Sequence, residues 1–408
     1  MKPRVFLLLA VCWRLPAQDL AQVAAQVKAL EERIRGLEQE IQTLKGKPPQ
    51  AITVTQTPEE KSAEPPRAAV VPTPGGGTLP YYGVATTSAK IFNPDIAAIG
   101  TFRGAAGFGA SHPTPALELQ EAEVSIQAIV DPYARADFFL SFGETGVELE
   151  EGYLTFSALP GGLQLRGGKM RAAFGKVNTL HLHNLPWIDR PLVTQNLLNA
   201  EEGISDAGLS LTRTLPAPGQ VFLEATGQVF RGDSGDLFQS HRRNHLGTVG
   251  RLRAYRDVSE STNLDLGVSY ARAHNPAGLV TELWGTDATI RWRPLRRALY
   301  RSFLGRSEIV WGRANQLGGT SKPFGYYLSG EYQLARRWWL GGRFDQADRL
   351  DDASLRDRGG SLLMTFRPSE FSQIRAQLRR TRYGERATAN ELLFQFQYSI
   401  GAHGAHPF

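Results

Sequence analysis

Ten basic side chains stand where a period of two would set them on one face of extended segments. They are Arg135, Lys169, Arg171, Arg251, Arg253, Arg291, Arg293, Arg343, Arg375 and Arg379. Arginine keeps its charge throughout the physiological range and offers a planar fork of donors that fits phosphate or carboxylate. Rings of such groups around a water-filled passage favour anions. Beside carboxylates the same groups become cross-strand ion pairs that hold a wall together. Glu121, Glu123, Asp137, Glu151, Asp265, Asp287, Glu308, Glu331 and Asp345 share the alternation, so both roles stay open at each position. A net preference for anions is expected over one for cations.

A second group lies in one long polar stretch, GKVNTLHLHNLPWIDRPLVTQNLLNAEEGISD, at 175–206. Its apolar residues Leu180, Leu185, Trp187, Ile188, Leu197 and Leu198 need cover, which the inside of a barrel or a neighbouring subunit would supply. His181, His183, Trp187, Asp189 and Arg190 are therefore candidates for a loop that narrows a passage, with an external lid as the alternative. His181 and His183 fall on one side of an extended segment and would suit Zn²⁺ if Asp189 or another histidine completed the shell. Two histidines fall short of a metal motif, so hydrogen-bonding histidines are the expectation, and His403 and His406 belong to the opposite end of the fold. The chain has no Gly-Xaa-Ser-Xaa-Gly elbow, phosphate loop or His-Glu-Xaa-Xaa-His motif, and no Ser/His pair stands out. Neither an enzyme activity nor a cofactor is expected.

The elements that position these residues read as strands. In ELLFQFQYSIG, at 391–401, Leu392, Phe394, Phe396, Tyr398 and Ile400 alternate with Leu393, Gln395, Gln397 and Ser399. Successive strand side chains point to opposite faces, so one face is wholly apolar. The pattern repeats in ADFFLSFG and NLDLGVSYA, and sixteen such runs begin near 96, 117, 133, 147, 163, 206, 220, 245, 262, 282, 304, 324, 338, 358, 372 and 391. After even-numbered runs the connections are short, as in DPY, LPGGL and RPSEF; after odd-numbered runs many are long and polar. Short turns at one end and long loops at the other describe a sixteen-stranded antiparallel transmembrane barrel, an all-β fold. A soluble sandwich shares the period but not this asymmetry. On this register Leu266→Arg, on the lipid side, should impair assembly, whereas Ser269→Arg should not.

Residues 1–17 read as a signal peptide, with Lys2 and Arg4 before a short apolar run and Ala17 at the cleavage site. Cleavage there removes Cys12, the sole cysteine, whose lipidation is the alternative. Within 18–46 a heptad seam places Leu20, Val27, Ile34 and Ile41 at a, and Val23, Leu30, Leu37 and Leu44 at d. Branched residues at a lean toward a dimer, but Arg33 and Glu38 bracket Ile34 and Leu37 in a trimer-favouring pattern. Residues 47–80 are rich in proline and glycine and read as a tether, leaving 81–408 for the barrel. A formal net charge of +6 points to anionic partners without naming them, and nothing marks a nucleic-acid partner.

This layout of coiled coil, tether and sixteen arginine-bearing strands resembles the phosphate-selective porin O/P family of trimeric outer-membrane channels. LQLRGGKMRAAFG (163–175) is similar to that family's basic strand, and the following loop with the tail GAHGAHPF looks like its branch labelled zinc-regulated outer-membrane receptors. The resemblance implies a homotrimer in the outer membrane that passes small anionic solutes, with its coiled coil in the periplasm. It also implies a terminal aromatic, here Phe408, read by the barrel-assembly machinery. A metal-related uptake channel is the further reading carried by that branch; with neither a plug domain nor an energy-coupling box, passage is expected to be passive. Only Lys90, Lys169, Lys176 and Lys322 follow residue 80, so the family's lysine-rich funnel is missing. The alternative function is an anchor, in which the coiled coil and tether hold the outer membrane to cell-wall polymer.

Overall fold

The computed structural model describes residues 94–401, apart from 110–113, 144–145 and 199–201. The signal peptide, coiled coil and tether expected over 1–80, and the tail with His403, His406 and Phe408, lie outside the described residues.

Sixteen strands form the wall. The first eight are β1 (Asp95–Phe108), β2 (Leu117–Asp131), β3 (Ala134–Gly143), β4 (Gly146–Leu159), β5 (Leu163–Arg171), β6 (Ser205–Leu215), β7 (Phe222–Phe230) and β8 (Gly247–Ser259). The second eight are β9 (Thr262–His274), β10 (Val280–Trp292), β11 (Phe303–Gln316), β12 (Phe324–Ala335), β13 (Trp338–Asp348), β14 (Arg356–Ser369), β15 (Ser372–Arg382) and β16 (Thr388–Gly401). Each expected start lies within three residues of the observed one. Every strand pairs antiparallel with its neighbours in sequence, and β1 pairs with β16 from Ala97 opposite Gly401 to Phe108 opposite Asn390. The sheet is thus a closed barrel with no free edge, the form in which strands can satisfy every backbone group in lipid. A three-residue ladder, Gly319–Ser321, pairs only with β11 and extends that hairpin beyond the wall.

The register turns the sequence alternation into an outside and an inside. On β16 the side chains of Leu392, Phe394, Phe396, Tyr398 and Ile400 are exposed on the outer surface, while Leu393, Gln395, Gln397 and Ser399 are buried inside. Leu266 and Val268 on β9 and Leu362 and Met364 on β14 are exposed in the same way. An apolar outer belt around a polar interior is the transmembrane-barrel pattern inverted relative to a soluble protein. Turns after even-numbered strands are mostly short, with two residues each after β2, β8, β12 and β14. Ten residues separate β10 from β11 and carry a short 3₁₀ turn, Leu295–Arg297. The longest connection, from β5 to β6, spans 172–204.

Two irregularities matter for the interior. The β1–β2 register shifts between Thr101 and Phe102, where Gln120 is the extra residue. The β3–β4 register shifts between Phe139 and Leu140, where Glu150 is extra. A bulge lets consecutive residues share a face that strict alternation would split between two. Glu150 therefore joins Glu148 and Glu151 inside the barrel.

Candidate functional site

The β5–β6 connection turns inward and crosses the lumen. Its path is set by polar side chains on the inner wall that catch its backbone. Gly175 has φ +62°, in the left-handed region open to glycine, and its N–H donates to Ser269 Oγ at 3.1 Å. The next two amides, of Lys176 and Val177, donate to the Glu308 carboxylate, the second at 2.7 Å. Asn178 closes the root of the loop: its amide donates to the carbonyls of Ala172 and Ile204 at 2.9 and 3.0 Å, and its oxygen accepts from Ile204 N–H at 2.7 Å. Two 3₁₀ turns follow, Val177–Thr179 and Leu182–Asn184. A helix, α1 (Leu192–Leu197), then lies against β12 and β13, with Leu192 N–H 3.3 Å from Asp345 Oδ1.

The apolar side of the loop supplies what the polar catches do not. Leu180, Leu185, Trp187, Ile188, Leu197 and Leu198 are all buried and share one cluster with the inward Leu283, Val310, Tyr327, Ala347, Leu363 and Leu393. Small inward residues make room: a Cβ on Gly325 would stand 3.0 Å from Val193 and 2.9 Å from the Cβ of Ala347. Burying that much apolar surface is the main force holding the loop within the barrel.

Asp189 is the loop's electrostatic anchor. Its Oδ2 accepts from Arg343 at 2.8 Å and from Arg379 at 2.9 Å, and Oδ1 accepts from Gln377. Burial disfavours its charge, but the two arginines outweigh that and hold the carboxyl below the usual range. Arg343 also pairs with Asp345 at 2.7 Å and lies over the Trp187 ring, and Arg379 pairs with Glu391 at 2.6 Å. Arg190 is buried and donates to the carbonyls of Val177 and Leu180 at 3.2 and 3.0 Å, bracing the loop on itself.

On β2 and β4 the loop meets carboxylates. His181 Nδ1 lies 3.0 Å from Glu123 and from Glu150, and Nε2 lies 2.8 Å from Glu151. Burial alone would neutralise this imidazole, yet Glu123, Glu150 and Glu151 prevail and raise its pKa well above the ordinary value. His183 stacks on His181 with ring centroids 5.6 Å apart.

The expected pore-lining cations divide in two. Arg135, Lys169, Arg171, Arg251, Arg253, Arg343 and Arg379 pair with Asp137, Glu148, Glu150, Asp287, Asp265, Asp189 and Glu391 respectively. Arg291, Arg293 and Arg375 instead border a cavity of about 600 Å³ at the short-turn end, together with Arg306, Arg336, Arg337 and Arg367. Among the described residues, Glu331 and Glu370 alone bring negative charge to its lining. Among the described residues no carboxylate pairs with Arg291, Arg293, Arg306 or Arg375; Arg375 donates to the Leu185 carbonyl and to Gln395.

Asp189 does not join the histidines, because Arg343 and Arg379 claim its carboxylate. Sequence reasoning missed Glu150, which the bulge turns inward, and four of the vestibule arginines, Arg306, Arg336, Arg337 and Arg367. Arg306 stands two residues before the inward Glu308, so the same alternation marks it. Arg336 and Arg337 form the turn between β12 and β13, where alternation gives no signal.

No protein-family model matches the chain. It is 27% identical over 426 residues, 83% of this chain and 87% of the other, to an uncharacterised protein of Aquifex aeolicus (strain VF5). Solved structures with a similar fold include an anion-selective porin from Comamonas acidovorans, with TM-score 0.54 and 10% identity over 75% of this chain and 98% of that one. OmpT of Vibrio cholerae in its trimer form aligns with TM-score 0.52 and 9% identity over 75% and 98% of the two chains. Pseudomonas putida OprB aligns with TM-score 0.51 and 10% identity over 76% and 94%. At such identities the likeness is one of fold, a porin-type β-barrel.

Proposed function

We propose that this protein is an outer-membrane channel for passive diffusion of small anionic solutes, narrowed by its own β5–β6 loop and assembled as a trimer. The observation that carries the reading is the vestibule at the short-turn end, where seven arginines face two glutamates around about 600 Å³. By the usual orientation of such barrels this end faces the periplasm. A concave site lined by one sign of charge raises the local concentration of the opposite ion. Guanidinium forks suit phosphate and carboxylate, so the solute class is small oxyanions and organic acids. The seven paired cations hold the wall and loop; selectivity belongs to Arg291, Arg293, Arg306 and Arg375.

The fold shared with the anion-selective Comamonas porin and with trimeric OmpT supports this reading. The test is Arg291→Glu with Arg306→Glu, measured as reversal potential in a planar bilayer under a KCl gradient. The reversal potential should move toward cation preference while the barrel remains folded. An unchanged potential would show that the vestibule does not select.

A further inference from the structure

We infer that Glu121, Glu123 and His183 form a binding site for one divalent first-row transition-metal ion, where β2 meets the lumen loop. One ligand atom from each of the three lies within 4.8 Å of the others. Nδ1 of His183 stands 3.5 Å from Glu121 Oε2 and 3.6 Å from Glu123 Oε2. Those separations are long for charge-assisted hydrogen bonds, which run at about 2.7–2.9 Å. They match ligands around a tetrahedral ion, since bonds of about 2.0–2.1 Å place neighbouring donor atoms roughly 3.3–3.4 Å apart.

An independent observation points the same way. Glu121 is 1% exposed, and apart from His183 Nδ1 at 3.5 Å neither of its carboxylate oxygens meets a hydrogen-bond donor among the described residues. A buried carboxylate left in that state is costly, and a cation is one of the few things that satisfies it. The charge around it is also one-sided: Glu121, Glu123, Glu150 and Glu151 converge, with Arg171 the fixed cation beside them. His181 stands 3.0 Å from Glu123 Oε2 and 2.8 Å from Glu151, so it orients the carboxylate that the ion would share.

Mixed imidazole and carboxylate donors suit Zn²⁺ and its first-row neighbours better than Ca²⁺ or Mg²⁺. Three protein ligands leave a position for water, and His183 also borders the arginine vestibule, which gives the ion a way in. A bound ion would join the loop to β2, a second attachment beside the Asp189 anchor. The site is independent of the channel reading, because binding is measured without current.

The experiment is calorimetric titration of Zn²⁺ into the tag-free full chain in detergent, with Co²⁺ absorption as a second readout. Glu121→Gln and His183→Gln are compared with the parent, and circular dichroism checks that each keeps its barrel. His245→Ala/His274→Ala and His403→Ala/His406→Ala serve as controls for the remaining histidine pairs. The site requires one ion per chain, ligand-field bands of a tetrahedral Co²⁺ centre, and affinity at least about 10-fold weaker in either ligand variant. Should Glu121→Gln fail to fold, Glu121→Asp, which keeps the charge and shortens the reach, must weaken binding instead. Absence of saturable binding, or binding lost only in a control variant, overturns the assignment.

Discussion

Replacing Asp189 by asparagine keeps the size of the side chain and removes the charge that two arginines share. The amide then turns donors toward Arg343 or Arg379, both of which lie within 2.9 Å of Oδ2. Breaking a buried ion pair by removing one partner costs about 3–5 kcal/mol. Arg343 retains Asp345 and Arg379 retains Glu391, so the lower edge of that range, about 3 kcal/mol, is the expected cost. That raises the population of detached loop roughly 100-fold. Hydrogen exchange reads it directly, since the amides of Ile188 and Leu192 donate to Gln377 and Asp345 on the wall. In Asp189→Asn the peptide covering 185–198 should exchange roughly 100-fold faster, with β14 and β15 unchanged. Exchange within a few-fold of the parent would refute the assignment of Asp189 as the anchor.

Other outcomes follow from the same geometry. The anchor should be insensitive to mild acid: a lowered folded-state pKa means its contribution is present above the ordinary aspartate value and lost only as pH falls through the lower one. Protection at Ile188, corrected for intrinsic exchange, should match at pH 7 and pH 4.5, and a loss already near pH 5.5 would contradict this. Leu266→Arg places a charge on the outer belt and should cost about 2–4 kcal/mol near mid-membrane, read by denaturant titration in liposomes. Ser269→Arg is not the harmless control that alternation alone suggests. Ser269 Oγ receives Gly175 N–H and an Arg251 donor, so the variant should insert but show faster exchange over 172–180.

The wall was legible because a strand's period is two and the two environments, lipid and lumen, are chemically opposite. Leu392 through Ile400 carry that contrast without interruption. The loop was legible for a related reason, since Leu185, Trp187 and Ile188 had to be covered by something. Where they dock was not, because Asp189 and Arg343 are brought together across 154 residues by barrel closure. Glu150 escaped because local hydrogen bonding, not composition, decides where a bulge falls. Seven of the ten basic residues, Lys169 among them, lie beside carboxylates, and three-dimensional neighbours rather than alternation separate those from Arg291, Arg293 and Arg375. Trimer contacts, periplasmic orientation and the coiled coil with Val27, Leu30, Arg33, Ile34, Leu37, Glu38, Ile41 and Leu44 stay proposals, the last outside the described residues.

The central claim is conduction with a preference for anions, and one recording addresses it: current through the purified protein in a planar bilayer under a KCl gradient. The account requires stepwise insertion in groups of three conducting units and a reversal potential on the chloride side. A folded, inserted barrel that conducts nothing, or that reverses on the potassium side, would contradict it.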